Sequence, residues 1–560
     1  MQALCAGRRP LILLTLLCAL LYLPGQASLP PFDRDEARFA QASKQMLAGD
    51  GWIVPYFQDS PRSKKPAGIY WLQAGSVAAA QAVTGNHAVV REVWPYRIPS
   101  LIGAWLAVLL TYALGRELFD RRAGLIGGAL LASSLLLTVE AHLAKTDAVL
   151  LATILLALWG LARAQALWRV GGSPRQTGAR PWLAVWGGVG VSAMIKGPIG
   201  PVVVALGALG HRVATGTWRW GRFLQPKRGL PLLVVLAGAW PLALAVSGAG
   251  GFVVESANED LIPKLLSAQE SHGAPPGSYL GALYLAFWPG ALVVVPALVA
   301  AFARLDHTGV RFCLAWIVPG WVLFALVPTK LPHYVLPFYP ALALLAGFML
   351  SAGWPPLRSA LWRALVVVHG VVWGLVGLAL AGALGVLPWY FAESWGVWAV
   401  APAVLAALAT ALGLGTAWRD RDSGPRLGAA LVLAGMLIWP TLAQIYTPRL
   451  DHLFVARTVA GIVPPPDQRP PLAAAGYHEP SLVFRNGTET ILTDVSGVAA
   501  HLRQTPGAFA LVPRKVHADL VQRLGPGVEV RRVQSFPGFN YSKGDRHRFL
   551  ILHRVSETAR

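Results

Sequence analysis

Pro30-Pro31-Phe32-Asp33-Arg34-Asp35-Glu36-Ala37-Arg38-Phe39-Ala40 follows directly on the first long apolar run of the chain. Asp33 is placed to cap a helix, with Glu36 three residues later as in a capping box. That helix is expected to run to about Leu47 and to stop at Gly49. Asp35, Arg38, Phe39 and Ala42 would share one of its faces. A carboxylate and a guanidinium would then project together from a short amphipathic helix lying on the bilayer surface. The plain alternative is a solvated interfacial helix that Arg38 anchors. Gly49-Asp50-Gly51-Trp52-Ile53-Val54-Pro55, Lys64-Lys65-Pro66 and Tyr70-Trp71-Leu72 come next. A loop over residues 28–96 this rich in Trp, Tyr and Pro is more than a connector between two spans.

The rest of the chain supplies the membrane. Of 560 residues, 55% are hydrophobic and only 13% charged, about half the charged share of a soluble domain. The mean hydropathy is +0.50. The formal net charge of +21 does not mark a nucleic-acid binder, because the basic residues sit in short loops between apolar runs rather than on a polar domain. Cys5, Cys18 and Cys313 form no CxxC pair, which excludes a disulfide framework or a cysteine zinc site as the organising feature. Arg8 and Arg9 before Leu11–Leu23 imitate a signal peptide, but the later spans make this run the natural first span.

About thirteen stretches are long and apolar enough to cross a bilayer: residues 10–27, 97–115, 123–140, 147–164, 181–196, 198–215, 230–247, 278–303, 311–328, 334–352, 362–387, 395–417 and 427–446. Alternate loops carry the arginines, as at Arg116/Arg121/Arg122, Arg163–Arg180 and Arg212–Arg228. The positive-inside rule then puts the N-terminus in the cytoplasm, and an odd span count puts the tail outside. The expected class is a mainly α, polytopic inner-membrane protein: a transmembrane domain over 1–446 with outside loops 28–96 and 248–277, and a small extracytoplasmic α/β domain over 447–560. In that tail, Leu472–Tyr477, Phe509–Pro513 and Phe549–Val555 read as strands and Val516–Leu524 as a helix.

The order D-E-x-R-F-A (35–40), M-x-x-G-D (46–50), W-x-x-P (52–55), K-P (65–66) and Y-W-L (70–72) resembles the first periplasmic loop of the lipid-carrier-dependent glycosyltransferases. This family is typified by the aminoarabinose transferase of lipid A and related to protein O-mannosyltransferases. Lys145-Thr146-Asp147, Lys196-Gly197-Pro198, Ser271-His272-Gly273 and Lys330-Leu331-Pro332-His333-Tyr334 continue the match. In the tail, Gly476-Tyr477-His478-Glu479-Pro480-Ser481-Leu482 and Gly538-Phe539-Asn540-Tyr541-Ser542-Lys543-Gly544 do so as well. The resemblance implies a type C glycosyltransferase fold, a sugar on a polyprenyl-phosphate carrier as donor, and a membrane-borne glycolipid such as lipid A, or a glycan, as acceptor. No nucleotide sugar is implied, and the chain has no Walker A or dinucleotide fingerprint.

In such a reaction an acceptor oxygen attacks the anomeric carbon and the lipid phosphate leaves, through an oxocarbenium-like transition state. A carboxylate takes the acceptor's proton or stabilises positive charge on the sugar. Asp35 is the first candidate and Asp147 the second, with Glu36 beside them. The leaving phosphate needs cations, for which Lys65, Arg38, Lys196 and Lys330 are candidates. Tyr70, His272, His333 and Tyr334 are candidate substrate contacts. Each has a plainer reading: Asp147 as a helix cap, Lys196 and Lys330 as snorkelling side chains, the histidines and Tyr334 as interface residues.

In the aminoarabinose enzymes the residue before K-P is commonly acidic, and here it is Lys64. This counts against a carboxylate–histidine metal pair of that position with His272, so a divalent metal stays open as a cofactor. It also counts against an amino-sugar donor, because a lysine would repel the amine. Two other readings share the composition: a transporter or flippase of polyprenyl-linked sugars, and a protein O-glycosyltransferase whose hydroxyl acceptor leans harder on Asp35.

Overall fold

The computed structural model describes residues 3–49, 51–173, 181–256, 258, 273–353, 360–419 and 424–555. Each of the thirteen apolar stretches contains helix, because in hydrocarbon every backbone N–H and C=O must be satisfied within the segment. Among the described residues, eight helices are long and apolar enough to cross a membrane, or nine if one bent pair is a single span. The chain is a polytopic membrane protein.

Two expected spans are not single helices. The stretch 123–140 breaks between Arg121–Ala132 and Leu135–Ala141 with a bend of 65°. The hydroxyls of Ser133 and Ser134 there donate back to Leu130 O and Leu131 O, which offers the backbone an alternative to continuing the helix. The stretch 278–303 divides into Ser278–Ala286 and Ala291–Ala301 around Trp288-Pro289, where proline has no N–H to give. The pair Pro181–Lys196 and Ile199–Thr215 is joined by Gly197 at φ 61°, a left-handed turn that favours glycine.

The bundle packs through small residues, as bilayer helices do where lipid supplies no hydrophobic drive between them. A Cβ on Gly115 would lie 2.4 Å from Gly124 Cα, and one on Gly124 would lie 2.7 Å from Tyr112 O. Trp94–Leu118 and Arg121–Ala132 therefore approach to backbone contact. Pro332–Ala352 lies deepest, with 89% of its most apolar window buried. Ala360–Phe391 has only 28% buried and presents Leu365, Val368, Val372 and Leu375 outward.

The first outside loop folds as helix Asp35–Leu47, a short hairpin of β1 (Tyr56–Phe57) and β2 (Ser60–Pro61), and helix Gly68–Thr84. The expected interfacial helix is corrected here. Ala37, Phe39, Ala40, Ala42 and Met46 are all buried, against helix Gly68–Thr84 on one side and helix Pro480–Asn486 of the tail on the other. The expected capping box is also absent: Asp35–Leu47 has no side-chain cap, because Asp33 is turned to the tail instead.

The tail carries a five-stranded sheet in the order β4 (Ile491–Leu492), β3 (Ala473–Ala474), β5 (Phe509–Pro513), β7 (Asp545–Arg554), β6 (Val530–Asn540). β3 pairs in parallel with β4 and β5, and β7 is antiparallel to β5 and β6. The expected strand Leu472–Tyr477 shortens to Ala473–Ala474. The expected helix appears as His517–Leu524.

Candidate functional site

Side chains from four separate segments meet where the bundle faces the first loop and the tail. At the end of the bent helix, Glu140 accepts from Lys145 Nζ at 3.1 Å. Lys145 Nζ also lies 3.9 Å from Asp147 Oδ2, and Lys196 Nζ lies 2.6 Å from Asp147 Oδ1. His333 Nδ1 approaches Glu140 Oε1 at 3.9 Å. Glu140, Asp147 and Lys145 are all buried, so each charge depends on the others. Lys196 also lies over the Tyr334 ring at 5.6 Å, a cation–π contact. Asp147 heads its helix without any side-chain cap; its carboxylate faces the two lysines.

Asp35 is exposed at the first turn of its helix, beside this cluster. Partial desolvation among the packed neighbours pulls its carboxyl up, but Lys145, Arg62, His333 and Lys65 together hold it below the ordinary carboxylate range. Burial disfavours the Lys145 ammonium, yet Glu140, Asp147 and Asp35 raise it on balance, so it stays charged. Arg62 is set by Tyr70, whose hydroxyl accepts from Arg62 Nε at 2.8 Å, and by Phe39, whose ring lies 4.9 Å from the guanidinium. Next to it opens a cavity of about 680 Å³, lined by Arg38, Arg62 and Lys64 from the first loop and by Thr488, Glu489 and Thr490 from the tail.

The sequence candidates thus divide. Asp35, Lys65, Asp147, Lys196, His333 and Tyr334 belong to one connected cluster, and Arg38 lines the adjoining cavity. Tyr70 is fully enclosed and acts on the site by holding Arg62. Lys330 turns its ammonium to Val327 O at 2.7 Å. Glu36 is engaged by Arg97 at 2.7 and 2.9 Å and by the N–H groups of Phe32 and Ala144, a fastening role with no lone pair directed to the hollow. His272 lies outside the described residues. Sequence reading missed Lys145 as a site charge, although the K-T-D motif contains it, and also Arg62 and Glu140. Glu140 had a signal: a lone carboxylate at the end of an apolar run.

A divalent metal does not fit the described donors. No three of His, Cys, Asp and Glu gather as ligands among the described residues. Beside Asp147 and Glu140, the position a cation would take is held by the Lys145 and Lys196 ammoniums.

A second polar knot joins the first loop to the tail. Asp33 accepts from Ser481 N and Ser481 Oγ, both at 2.7 Å, and from Tyr477 OH at 3.3 Å. Burial pushes the Asp33 carboxyl from its ordinary 3.8 up to about 7; the Ser481 hydrogen bonds oppose that rise and Glu479 adds to it. The folded state therefore binds this proton more tightly than the unfolded chain does. Its stabilising contribution is complete below about 3.8 and is lost as pH rises through about 7. The melting temperature of Asp33→Asn, which mimics the neutral form, is expected to fall less than that of the wild type between pH 5.5 and 8.5 (~3 pH units spanning the folded value). Parallel curves would refute this assignment.

A family model described as dolichyl-phosphate-mannose-protein mannosyltransferase matches residues 64–244. The chain is 30% identical over 364 residues to undecaprenyl phosphate-alpha-4-amino-4-deoxy-L-arabinose arabinosyl transferase 2 of Pseudomonas fluorescens, covering 61% of this chain and 59% of that protein. It is 29% identical over 319 residues to the transferase of that name in Pseudomonas paraeruginosa, covering 56% and 55%. The chain thus spans little more than half the length of these curated relatives. ArnT from Cupriavidus metallidurans bound to undecaprenyl phosphate superposes with a TM-score of 0.72 at 18% identity, over 99% of this chain and 100% of that one. The apo oligosaccharyltransferase of Archaeoglobus fulgidus gives 0.51 at 13% identity, over 93% and 69%. The structural likeness establishes the fold over the whole chain, and the family model falls on residues 64–244, which include the K-T-D turn. The chain has the fold of these membrane transferases over its whole length, and over little more than half of it the sequence is similar to the undecaprenyl-phosphate aminoarabinose transferases.

Proposed function

We propose that this chain transfers a sugar from a polyprenyl-phosphate donor, of which undecaprenyl phosphate is the example named for its relatives, to a membrane-borne glycolipid or glycan, with inversion. The observation that carries the reading is Asp35, an exposed carboxylate held ionised among Lys145, Arg62 and Lys65, with Arg62 also lining the adjoining cavity. The bond from the acceptor oxygen to the anomeric carbon forms as the bond from that carbon to the phosphate oxygen breaks. Asp35 takes the acceptor's proton or faces the positive charge on the sugar. Lys65, Arg62, Arg38 and Lys145 hold the departing phosphate. Glu140 and Asp147 fix Lys145, Lys196 pairs with Asp147, and His333 and Tyr334 stand beside Glu140 and Lys196.

The same reading carries the topology: thirteen spans, an inner-membrane location, the N-terminus in the cytoplasm, and the tail from about residue 447 as an outside domain closing over the first loop. The purified protein in detergent is the test. It is given a panel of synthetic undecaprenyl-phosphate sugars (4-amino-4-deoxy-L-arabinose, a neutral hexose, a uronic acid) with lipopolysaccharide as acceptor. Release of undecaprenyl phosphate together with a sugar-sized mass gain on the acceptor is expected. Absent transfer with scrambling of the donor in vesicles would mean a transporter.

A further inference from the structure

The two tail motifs, Gly476–Leu482 and Gly538–Gly544, both converge on one residue of the first loop. Ser481 donates to both carboxylate oxygens of Asp33, through its N–H and its hydroxyl, at 2.7 Å each. Tyr477 adds its hydroxyl to Oδ2 at 3.3 Å. Tyr541 closes the other side, accepting from the Asp33 backbone N–H at 2.5 Å. The two motifs are themselves pinned together, since Asn540 Nδ2 donates to Glu479 Oε1 at 2.9 Å. Glu479 Oε2 in turn lies 3.5 Å from Arg34 Nε. Tyr477, Glu479, Ser481 and Asn540 are each at most 2% exposed, so this is a built clasp and not a surface contact.

Asp33 is two residues before Asp35, and helix Asp35–Leu47 has no side-chain cap of its own. The start of that helix is therefore held from outside, by the tail on Asp33 and Arg34. We infer that Ser481, Tyr477 and Tyr541 are positioning residues, through which the tail domain sets the Asp35 carboxylate against Lys145 and Arg62 for transfer. The inference rests on the reading of Asp35 as the catalytic carboxylate. It gives the tail a part in the reaction that acts through the first loop.

The test uses the full-length protein and the donor panel above. Ser481→Ala should lower kcat about tenfold, short of the hundredfold that a full 1 Å displacement costs. KM for the donor should stay within about twofold, because the phosphate ligands lie elsewhere. Ser481→Thr, which keeps the hydroxyl, should restore the rate. In an Asp33→Ala background, Ser481→Ala should have no further effect on kcat, because its target is gone. Tyr541→Phe removes a single oxygen and serves where Ser481→Ala does not fold, with the same expected kcat loss. Unchanged kcat in both folded variants, or full additivity with Asp33→Ala, would overturn the clasp. Asp35→Asn run alongside separates the two ideas. If it is inactive while Ser481→Ala and Tyr541→Phe are fully active, only the clasp falls; if it is fully active, the reading of the site falls with it.

Discussion

Asp35→Asn is expected to slow transfer to a hydroxyl acceptor by about 10²–10⁴-fold, the range that a positioned general base supplies. The amide keeps the shape of the side chain and its place on an exposed first turn, so donor binding should change little and the loss should fall on kcat. The surroundings explain why so much depends on charge. Lys145 stays protonated because Glu140, Asp147 and Asp35 all face it. Without the Asp35 carboxylate that ammonium confronts developing positive charge on the sugar with one fewer anion between them. The same cations hold Asp35 below the ordinary carboxylate range, which makes it a weak base with a dependable charge. A phosphate acceptor arrives already ionised and has no proton to lose at neutral pH. With it the loss should shrink to the electrostatic part, about tenfold to a hundredfold. Single-turnover rates with hydroxyl-bearing and phosphate-bearing acceptors measure both. An Asp35→Asn enzyme within twofold of the wild type on hydroxyl acceptors would remove Asp35 from the mechanism.

Much of this arrangement was legible in the linear sequence, for physical reasons that also explain what was not. Bilayer-crossing segments announce themselves by length and apolarity, so every expected span contains helix. The breaks inside two of them depended on Ser133-Ser134 and Trp288-Pro289, local features that hydropathy averages away. Asp35, Lys65, Lys196 and Asp147 stood out because ionisable groups at span ends and in a long outside loop are costly to keep without use. Glu140 closes the run 123–140 and was passed over as part of it. Arg62 carries no such signal, since in sequence it is one more basic residue beside Lys64-Lys65-Pro66. The amphipathic pattern of Asp35–Leu47 was read correctly as helix, but Ala37, Phe39 and Ala40 look the same whether lipid or protein covers them. Only the fold shows that helix Pro480–Asn486 does so. Strand β6 was missed because Arg531, Arg532 and Gln534 interrupt the alternation that marks a strand. It is the edge of the sheet, and such charge is how edges are kept from pairing.

Arg97→Met is expected to cost about 3–5 kcal/mol, the range for breaking a buried ion pair from one side. Arg97 and Glu36 expose 0% and 1% of their side chains, and they come from residues 61 positions apart. The guanidinium meets the carboxylate through two parallel hydrogen bonds of 2.7 and 2.9 Å. Its remaining N–H groups reach Gln26 O, Leu29 O and Pro30 O. Glu36 also accepts from Phe32 N and Ala144 N, each at 2.8 Å. The substitution therefore strands a buried carboxylate and three carbonyls together. Adding Glu36→Leu removes the stranded charge but leaves the Phe32 and Ala144 N–H groups without an acceptor. The double variant should fall close to the single one rather than to the sum, a comparison that equilibrium unfolding in detergent makes directly. The consequence reaches the site, because Ala144 is the residue before Lys145 and Phe32 is the residue before Asp33. One ion pair ties the turn that carries Lys145 and Asp147 to the start of the helix that carries Asp35. Any Arg97→Met protein that still folds should lose kcat as well as stability. An Arg97→Met protein within about 1 kcal/mol of the wild type would show that these two segments are held in register by something else.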